Sequence, residues 1–321
     1  MLLTNFWRYD KINPLTSHKK ESSMKLVTTT DTLEKRFGLK EAIKRIKEYG
    51  FDAYDCSLFE SMKPSKPMSS YAAYPVDDEP IHITYAKEIR AYADKIGISC
   101  AQTHAPFPTF RKNSTHEEDI AQQIRAIEIS AILGAEIIVI HPQSSINFDY
   151  NFKEIYFKLL PVAEKHGIKI ATENMFTRNP ETKEIIPAAC GTPEEFKKYV
   201  DFANSEYFTA CLDIGHTELP NTCGAVTFIE ELGHDRIKAL HVHDNNKITD
   251  NHAFPLSQSI DFDAVCKALA KIDYSGNFTF EADSTNDRFP DELLPYTYKL
   301  LEKTGRYLIN KIEEYKGGEK A

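Results

Sequence analysis

GAEIIVIHPQSSINFDYNFKEIYFKLLPVAEKHGIKIATE, residues 134–173, holds one complete unit of a repeating pattern. A glycine is followed by a short β-branched run, EIIVIH (136–141), then by a helical stretch over 153–166. Gly167 stops that stretch, as expected of a left-handed helix cap, and a second short run, IKIATE (168–173), begins at once. Working outward, the same rhythm gives KLVTTT (25–30), FDAYDCS (51–57), ISCAQTH (98–104), FTACLD (208–213), IKALHVH (237–243) and NFTFE (277–281), eight strand-like runs in all. Helical patterns separate them. Residues 39–49 stop at Gly50, 81–96 at Gly97 and 117–133 at Gly134, while Thr192-Pro193-Glu194-Glu195 has the Thr cap, first-position Pro and third-position Glu of a helix start. Residues 261–270 and 291–315 supply the last two helices.

Strands that alternate with helices pair in parallel through right-handed crossovers. Eight of them predict a closed α/β structure, a single (β/α)8 TIM barrel. The spacing agrees: from Thr30 to Glu281 each unit takes about 36 residues, near the roughly 31 of a 250-residue barrel. An open doubly wound sheet would place a glycine-rich phosphate turn after its first strand, where this chain reads TTTDTLEKRFG. Residues 1–23 are polar and aperiodic and read as an N-terminal extension; 24–321 form the barrel domain.

Composition bounds the function. Of 321 residues, 41% are hydrophobic and 27% charged, an ordinary globular balance. The net charge of −9, with no dense Lys/Arg run, disfavours nucleic acid as a partner. Six cysteines at 56, 100, 190, 211, 223 and 266 make no C-x-x-C pair, which fits reduced thiols in a cytoplasmic protein. No run of 18 apolar residues predicts a membrane helix, and the N-terminus lacks the apolar core of a secretory signal. A homo-oligomer is compatible with all of this.

The ends of the runs carry the chemistry. The third ends in His104, the fourth in His141, the fifth in Glu173, the sixth in Asp213 and the eighth in Glu281, and the seventh carries His241. In a barrel these positions meet at the C-terminal mouth, where active sites lie. Mixed imidazole and carboxylate donors suit one divalent metal, Mn2+ or Zn2+ first, with Co2+ and Fe2+ also in range. Beyond the ends stand His216, His243, Asp244, Asp250 and His252, which read as further metal or substrate ligands or as groups that orient them. His243 and Asp244 also suit plain loop anchoring. Arg111, Lys112, Arg178, Lys247 and Arg288 follow strand ends, and Arg178, Lys247 and Arg288 are the candidate contacts for a sugar phosphate.

Taken in order, THAPF, IVIHP, ATEN, LDIGH, LHVHDN and FEAD resemble the xylose isomerase-like barrel superfamily, which includes sugar phosphate isomerases and epimerases, keto-sugar 3-epimerases and zinc AP endonucleases (AP endonuclease family 2). The likeness spans about Met24 to Glu281. In the epimerase branch it implies one divalent metal held by Glu173, Asp213, His241 and Glu281, with Glu173 and Glu281 as the proton-transfer pair and His216 on the substrate. In the endonuclease branch it implies a trinuclear zinc cluster that adds His104, His141, His216, Asp250 and His252. The chain departs from relatives that read Pro-Gly-x-Gly before Ile-Asp; here Pro255-Leu256-Ser257-Gln258-Ser259 precede Ile260-Asp261. The expected enzyme is a metal-dependent sugar or sugar phosphate isomerase/epimerase. One glutamate removes the proton next to a ketose carbonyl, a metal-stabilised enediolate forms, and the proton returns on the other face or the neighbouring carbon. A lyase, dehydratase or C-glycoside deglycosidase using the same metal site, with His141 as base, is the alternative, and a zinc AP endonuclease the third.

Overall fold

The computed structural model describes residues 24–64, 66–69, 79–144 and 147–318; the predicted extension 1–23 lies outside them. Eight parallel strands form the sheet: β1 Leu26–Thr29, β2 Ala53–Ser57, β3 Ser99–His104, β4 Ile137–Val139, β5 Lys169–Glu173, β6 Phe208–Asp213, β7 Ile237–His241 and β8 Phe278–Phe280. Each hydrogen-bonds to its neighbour in sequence, and β8 returns to β1 with Leu26 opposite Phe278. The circle closes between β7 and β8 through one bridge, Val242 opposite Phe280, with Val242 N donating to Thr279 O at 2.9 Å and Glu281 N to Val242 O at 3.2 Å.

A helix follows every strand: α1 Leu39–Tyr49, α2 Ile81–Ile96, α3 His116–Leu133, α4 Phe157–His166, α5 Pro193–Ala203, α6 Ala225–Arg236, α7 Phe262–Lys271 and α8 Leu294–Gly318. In α1 the buried stripe Leu39, Ala42, Ile43, Ile46 explains the docking, because i, i+3, i+4, i+7 is one face of a helix. Gly50, Gly97, Gly134 and Gly167 all cap in the left-handed region, as the sequence predicts. The Thr192 hydroxyl accepts from Glu195 N, and Pro193 takes the first turn of α5. The stretch predicted as one helix over 153–166 is instead a short helix, Phe148–Asn151, a wide π turn, Phe152–Tyr156, and then α4. Among the described residues no helix is long and apolar enough to cross a membrane.

The core has two parts. Most buried apolar side chains fill the layer between strands and helices. Inside the barrel lie two small clusters, Val27, Ala53 and Ala101, and Ile137, Val139, Ala171, Cys211 and Ala239. Side chains two apart share a strand face, so these inward rows continue toward the C-terminal ends as Asp55, His141, Glu173, Asp213 and His241. In β2 and β4–β7 the row changes from apolar to ionisable over one step, which separates a stabilising floor from a reactive mouth.

One buried carboxyl outside the mouth makes stability depend on pH. Glu34 is 3% exposed, and Ser61 Oγ donates to both its oxygens at 2.8 Å. Burial pushes its carboxyl from 4.5 up to about 7. The folded state therefore binds more protons than the unfolded chain between those values, so stability falls as pH rises through that window. Glu34→Gln is expected to flatten this slope and to raise stability at pH 8 by up to about 3 kcal/mol, with little change at pH 4. Urea midpoints across pH 4–8 test it; parallel curves for the two proteins would refute the assignment.

Candidate metal centre and substrate cleft

The strand ends bring Glu173, Asp213, His241 and Glu281 together, with one donor atom from each within 4.8 Å of the others. His241 Nδ1 lies 3.1 Å from Glu173 Oε2 and 3.2 Å from Glu281 Oε2. Glu173, Asp213 and His241 are buried, while the Glu281 side chain is 26% exposed and reaches the opening. On one flank, His104 Nε2 and His141 Nε2 sit 3.8 and 3.1 Å from Glu173 Oε2 and 3.0 Å from each other. On the other flank, His216, His243, Asp250 and His252 form a second convergent group.

Neighbouring groups fix which nitrogen faces the centre. A carbonyl can only accept, so a ring nitrogen bonded to one must donate. His104 Nδ1 donates to Ala105 O, His216 Nδ1 to Asn174 O and His252 Nδ1 to Glu281 O, each at 2.8 Å. All three therefore present an unprotonated Nε2 inward when neutral, as metal-binding imidazoles do. Asn174 also braces β5 against β6: its Nδ2 donates to Asp213 O at 3.0 Å and its Oδ1 accepts from Asp213 N at 2.8 Å. Gln102 spans the floor, its amide 2.9 Å from Asp55 and 3.0 Å from His241 Nε2.

The residues fit a cation. Asp213 Oδ2, His241 Nδ1 and Asp250 Oδ1 are buried without a hydrogen-bond partner, and such atoms are costly unless something neutralises them. Electrostatics agree. Burial opposes the charge on Glu173, but His241, His141 and His104 hold its carboxyl well below the usual range. Burial likewise opposes charge on His216 and His241; Asp213 and Asp250 still raise His216 well above the ordinary imidazole value, and Cys211, then Glu281 and Glu173, raise His241. His252 rises to about 10 against its burial, chiefly through Asp250. Without a metal these imidazoles hold the protons that balance the carboxylates, so metal uptake displaces protons.

His243 is fully buried, with Nε2 3.1 Å from Asp213 Oδ1, and its ring stacks on His252 at 4.0 Å. A Cβ at Gly215 would lie 1.9 Å from His243 Cε1, so the turn after Asp213 must lack a side chain there. Asp244 is a loop anchor: its oxygens accept from the amides of Asn245, Gln258, Ser259 and Ile260 at 2.8–3.1 Å. That clasp holds residues 258–260, and Leu256 just before them keeps a left-handed φ of 71°.

A cleft of about 230 Å3 opens beside this centre, reaching His104, His252 and Glu281. Its other walls include Asp31, Asp55, Asp283, Asp287, Lys35 and the stacked pair Phe59–Phe107, ring centroids 4.6 Å apart. None of Arg178, Lys247 and Arg288 lines it. Arg178 is exposed and donates to Lys183 O, Lys247 pairs with Glu218 at 2.9 Å, and Arg288 is exposed. Arg111 is tied to Asp119 at 2.6 Å. Sequence reasoning missed the cleft acids and Phe59. THAPF and FEAD already contained Phe107 and Asp283, but their reading stopped at the metal-capable residue. It also missed a hairpin, Phe176–Arg178 paired with Ile185–Pro187, which sets Phe176 edge-on to His216 at 5.0 Å.

With fold and site in view, the comparisons place the chain. The profile of the xylose isomerase-like TIM barrel family matches residues 43–303, and the chain belongs to that family. It is 28% identical over 267 residues to an uncharacterized protein of Methanocaldococcus jannaschii, covering 78% of this chain and 80% of that one. It is 28% identical over 184 residues to a probable endonuclease 4 of Staphylococcus aureus, covering 52% and 58%. Among solved structures it superposes on a D-tagatose 3-epimerase-like protein with a TM-score of 0.65 and 24% identity, over 90% of this chain and 99% of the other.

Proposed function

We propose that the protein is a metal-dependent sugar isomerase or epimerase, with Glu173 and Glu281 as its proton-transfer pair. The observation that carries this reading is that both carboxylates lie close to His241 Nδ1, at 3.1 and 3.2 Å, with Glu281 also lining a cleft of small-molecule size. About 230 Å3 lies just under the 300–1,000 Å3 typical of drug-sized ligands. Glu173, Asp213, His241 and Glu281 would hold the metal. A divalent cation there supplies electrophilic polarisation of a ketose carbonyl and its neighbouring hydroxyl. One glutamate then takes the proton from the adjacent carbon, and the other returns one from the opposite side. His216, whose Nδ1 is held by Asn174 O, can donate a hydrogen bond from Nε2 to a substrate oxygen in its protonated form, which Asp213 and Asp250 favour.

A second reading, zinc-dependent cleavage of a phosphodiester at an abasic site, is favoured by a specific observation. His104 and His141 flank Glu173 on one side, and His216, Asp250 and His252 converge on the other, so room for further ions surrounds the shared glutamate. The rim argues against it. Duplex binding needs many unpaired cations, whereas this opening presents Asp31, Asp283 and Asp287 with Lys35 tied to Asp31 at 3.1 Å. The test pairs metal content with activity. The expected result is deuterium incorporation from D2O into a ketose by the metal-loaded protein, without strand cleavage of abasic duplex in physiological salt. Enzyme-like cleavage of the duplex by a protein holding three zinc ions would overturn the sugar reading.

A further inference from the structure

Five acidic side chains face the cleft, Asp31, Asp55, Glu281, Asp283 and Asp287, against one ammonium, Lys35, and two imidazoles, His104 and His252. Glu281 belongs to the metal group and Lys35 is spent on Asp31 at 3.1 Å. His104 faces Glu173 at 3.8 Å, His252 faces Asp250 at 3.1 Å, and Asp55 has only His241 Nε2 at 3.9 Å, so among the described residues Asp283 and Asp287 have no counter-cation within 4 Å. The bonding of Asp55, Asp283 and Asp287 is incomplete. Asp55 is 2% exposed, and its Oδ2 accepts from Gln102, but its Oδ1 has no partner. Asp287 gives only Oδ1 to the Thr32 hydroxyl at 2.7 Å. The Asp283 carboxyl takes no hydrogen bond or ion pair among the described residues, and burial together with Asp31, Asp287 and Glu281 holds it well above the usual carboxylate range. A buried acceptor left unmet is costly, and a ligand that brings donors and positive charge recovers the cost. A phosphate would bring the opposite: more negative charge, no free cation to meet it, and repulsion sharpened by the low-dielectric wall. The Phe59–Phe107 pair adds an aromatic face, which favours cations and the apolar face of a sugar alike.

We infer that this cleft is a subsite for an ammonium group, so that the substrate is an amino-bearing sugar or polyol and not a sugar phosphate. The inference rests on the ketose reading above for what happens at the metal, but its own content is the charge the cleft accepts. Charge-assisted hydrogen bonds to carboxylates are about twice as strong as neutral ones, so an amine should outbind the hydroxyl it replaces.

The test is calorimetric titration of the metal-loaded full-length protein with D-fructose, with its amino-deoxy analogues bearing nitrogen at C1 or C6, and with the 1- and 6-phosphates. At least one amine is expected to bind about tenfold more tightly than fructose. Both phosphates should bind more weakly than fructose, and the amine's advantage should shrink as NaCl is raised. In Asp287→Asn and, separately, Asp31→Asn proteins the advantage should fall below about threefold. Asp287 is exposed, so its replacement should leave the fold intact, which a thermal melt confirms. A phosphate that binds as tightly as fructose overturns the inference. So does an amine advantage that survives both substitutions, or amines that give no heat. Loss of one equivalent of metal from Asp287→Asn also overturns it, since the acids would then hold an ion of the protein's own. Amine preference without any carbon–hydrogen exchange in D2O would keep the subsite and remove the epimerase reading; exchange without amine preference would do the reverse.

Discussion

Glu173→Gln and Glu281→Gln proteins, reloaded with metal, are expected to lose about 10²–10⁴-fold in turnover, the usual worth of a general acid–base group. The amide keeps an oxygen that can face a cation but cannot accept a proton. The two variants should not behave alike. Glu173 is buried and ringed by His104, His141 and His241, whereas Glu281 is partly open to the cleft. If each serves one face of a planar intermediate, one variant should still wash substrate hydrogen out into D2O while forming no product. Wild-type exchange in both would take the glutamates out of the chemistry, and His141 and His216 would be the next bases to test.

Asp213→Ala is expected to remove metal and activity together. Asp213 sits at the join between the two ligand groups: Oδ1 accepts from His216 N at 2.7 Å and lies 3.1 Å from His243 Nε2, while Oδ2 has no partner. Even partners one step removed from a metal cost about 10–100-fold in affinity when lost, so a direct ligand should cost more than about 100-fold. Metal content after dialysis at matched free-ion concentration is the readout. The loss should be eased by raising pH, because the imidazoles that gain protons in the metal-free centre must give them up to bind. Unchanged metal content would rule Asp213 out as a ligand.

The barrel was legible because its signals are periodic and local. Four helix–glycine–strand junctions, at Gly50, Gly97, Gly134 and Gly167, repeat the same cap chemistry, and each is found in the structure. The metal-capable row was legible for a related reason: strand ends share one height in a parallel barrel, so position along the chain becomes position in space. What stayed hidden depends on loops. Asp31 follows β1 and Asp55 lies in the middle of β2, strands that lack a His or Glu, so nothing there marked them, and only the fold brings them into one cleft with Asp283 and Asp287. Conversely Arg178, Lys247 and Arg288 follow strand ends in sequence, yet their loops carry them away from the cleft. The short hairpin at Phe176–Arg178 and Ile185–Pro187 offered three residues per strand, too few for an alternation to show.

The contact between Gly215 and His243 ties two positions 28 residues apart into one unit of inheritance. With an imidazole at 243, even a methyl group at 215 collides with it at 1.9 Å, so the pair admits change only in a set order: the ring must shrink before the turn can gain a side chain. Gly215→Ala alone should therefore cost stability, and the same change in a His243→Ala background should cost little. Equal penalties in the two backgrounds, measured by thermal melts, would show that the turn and the ring are independent.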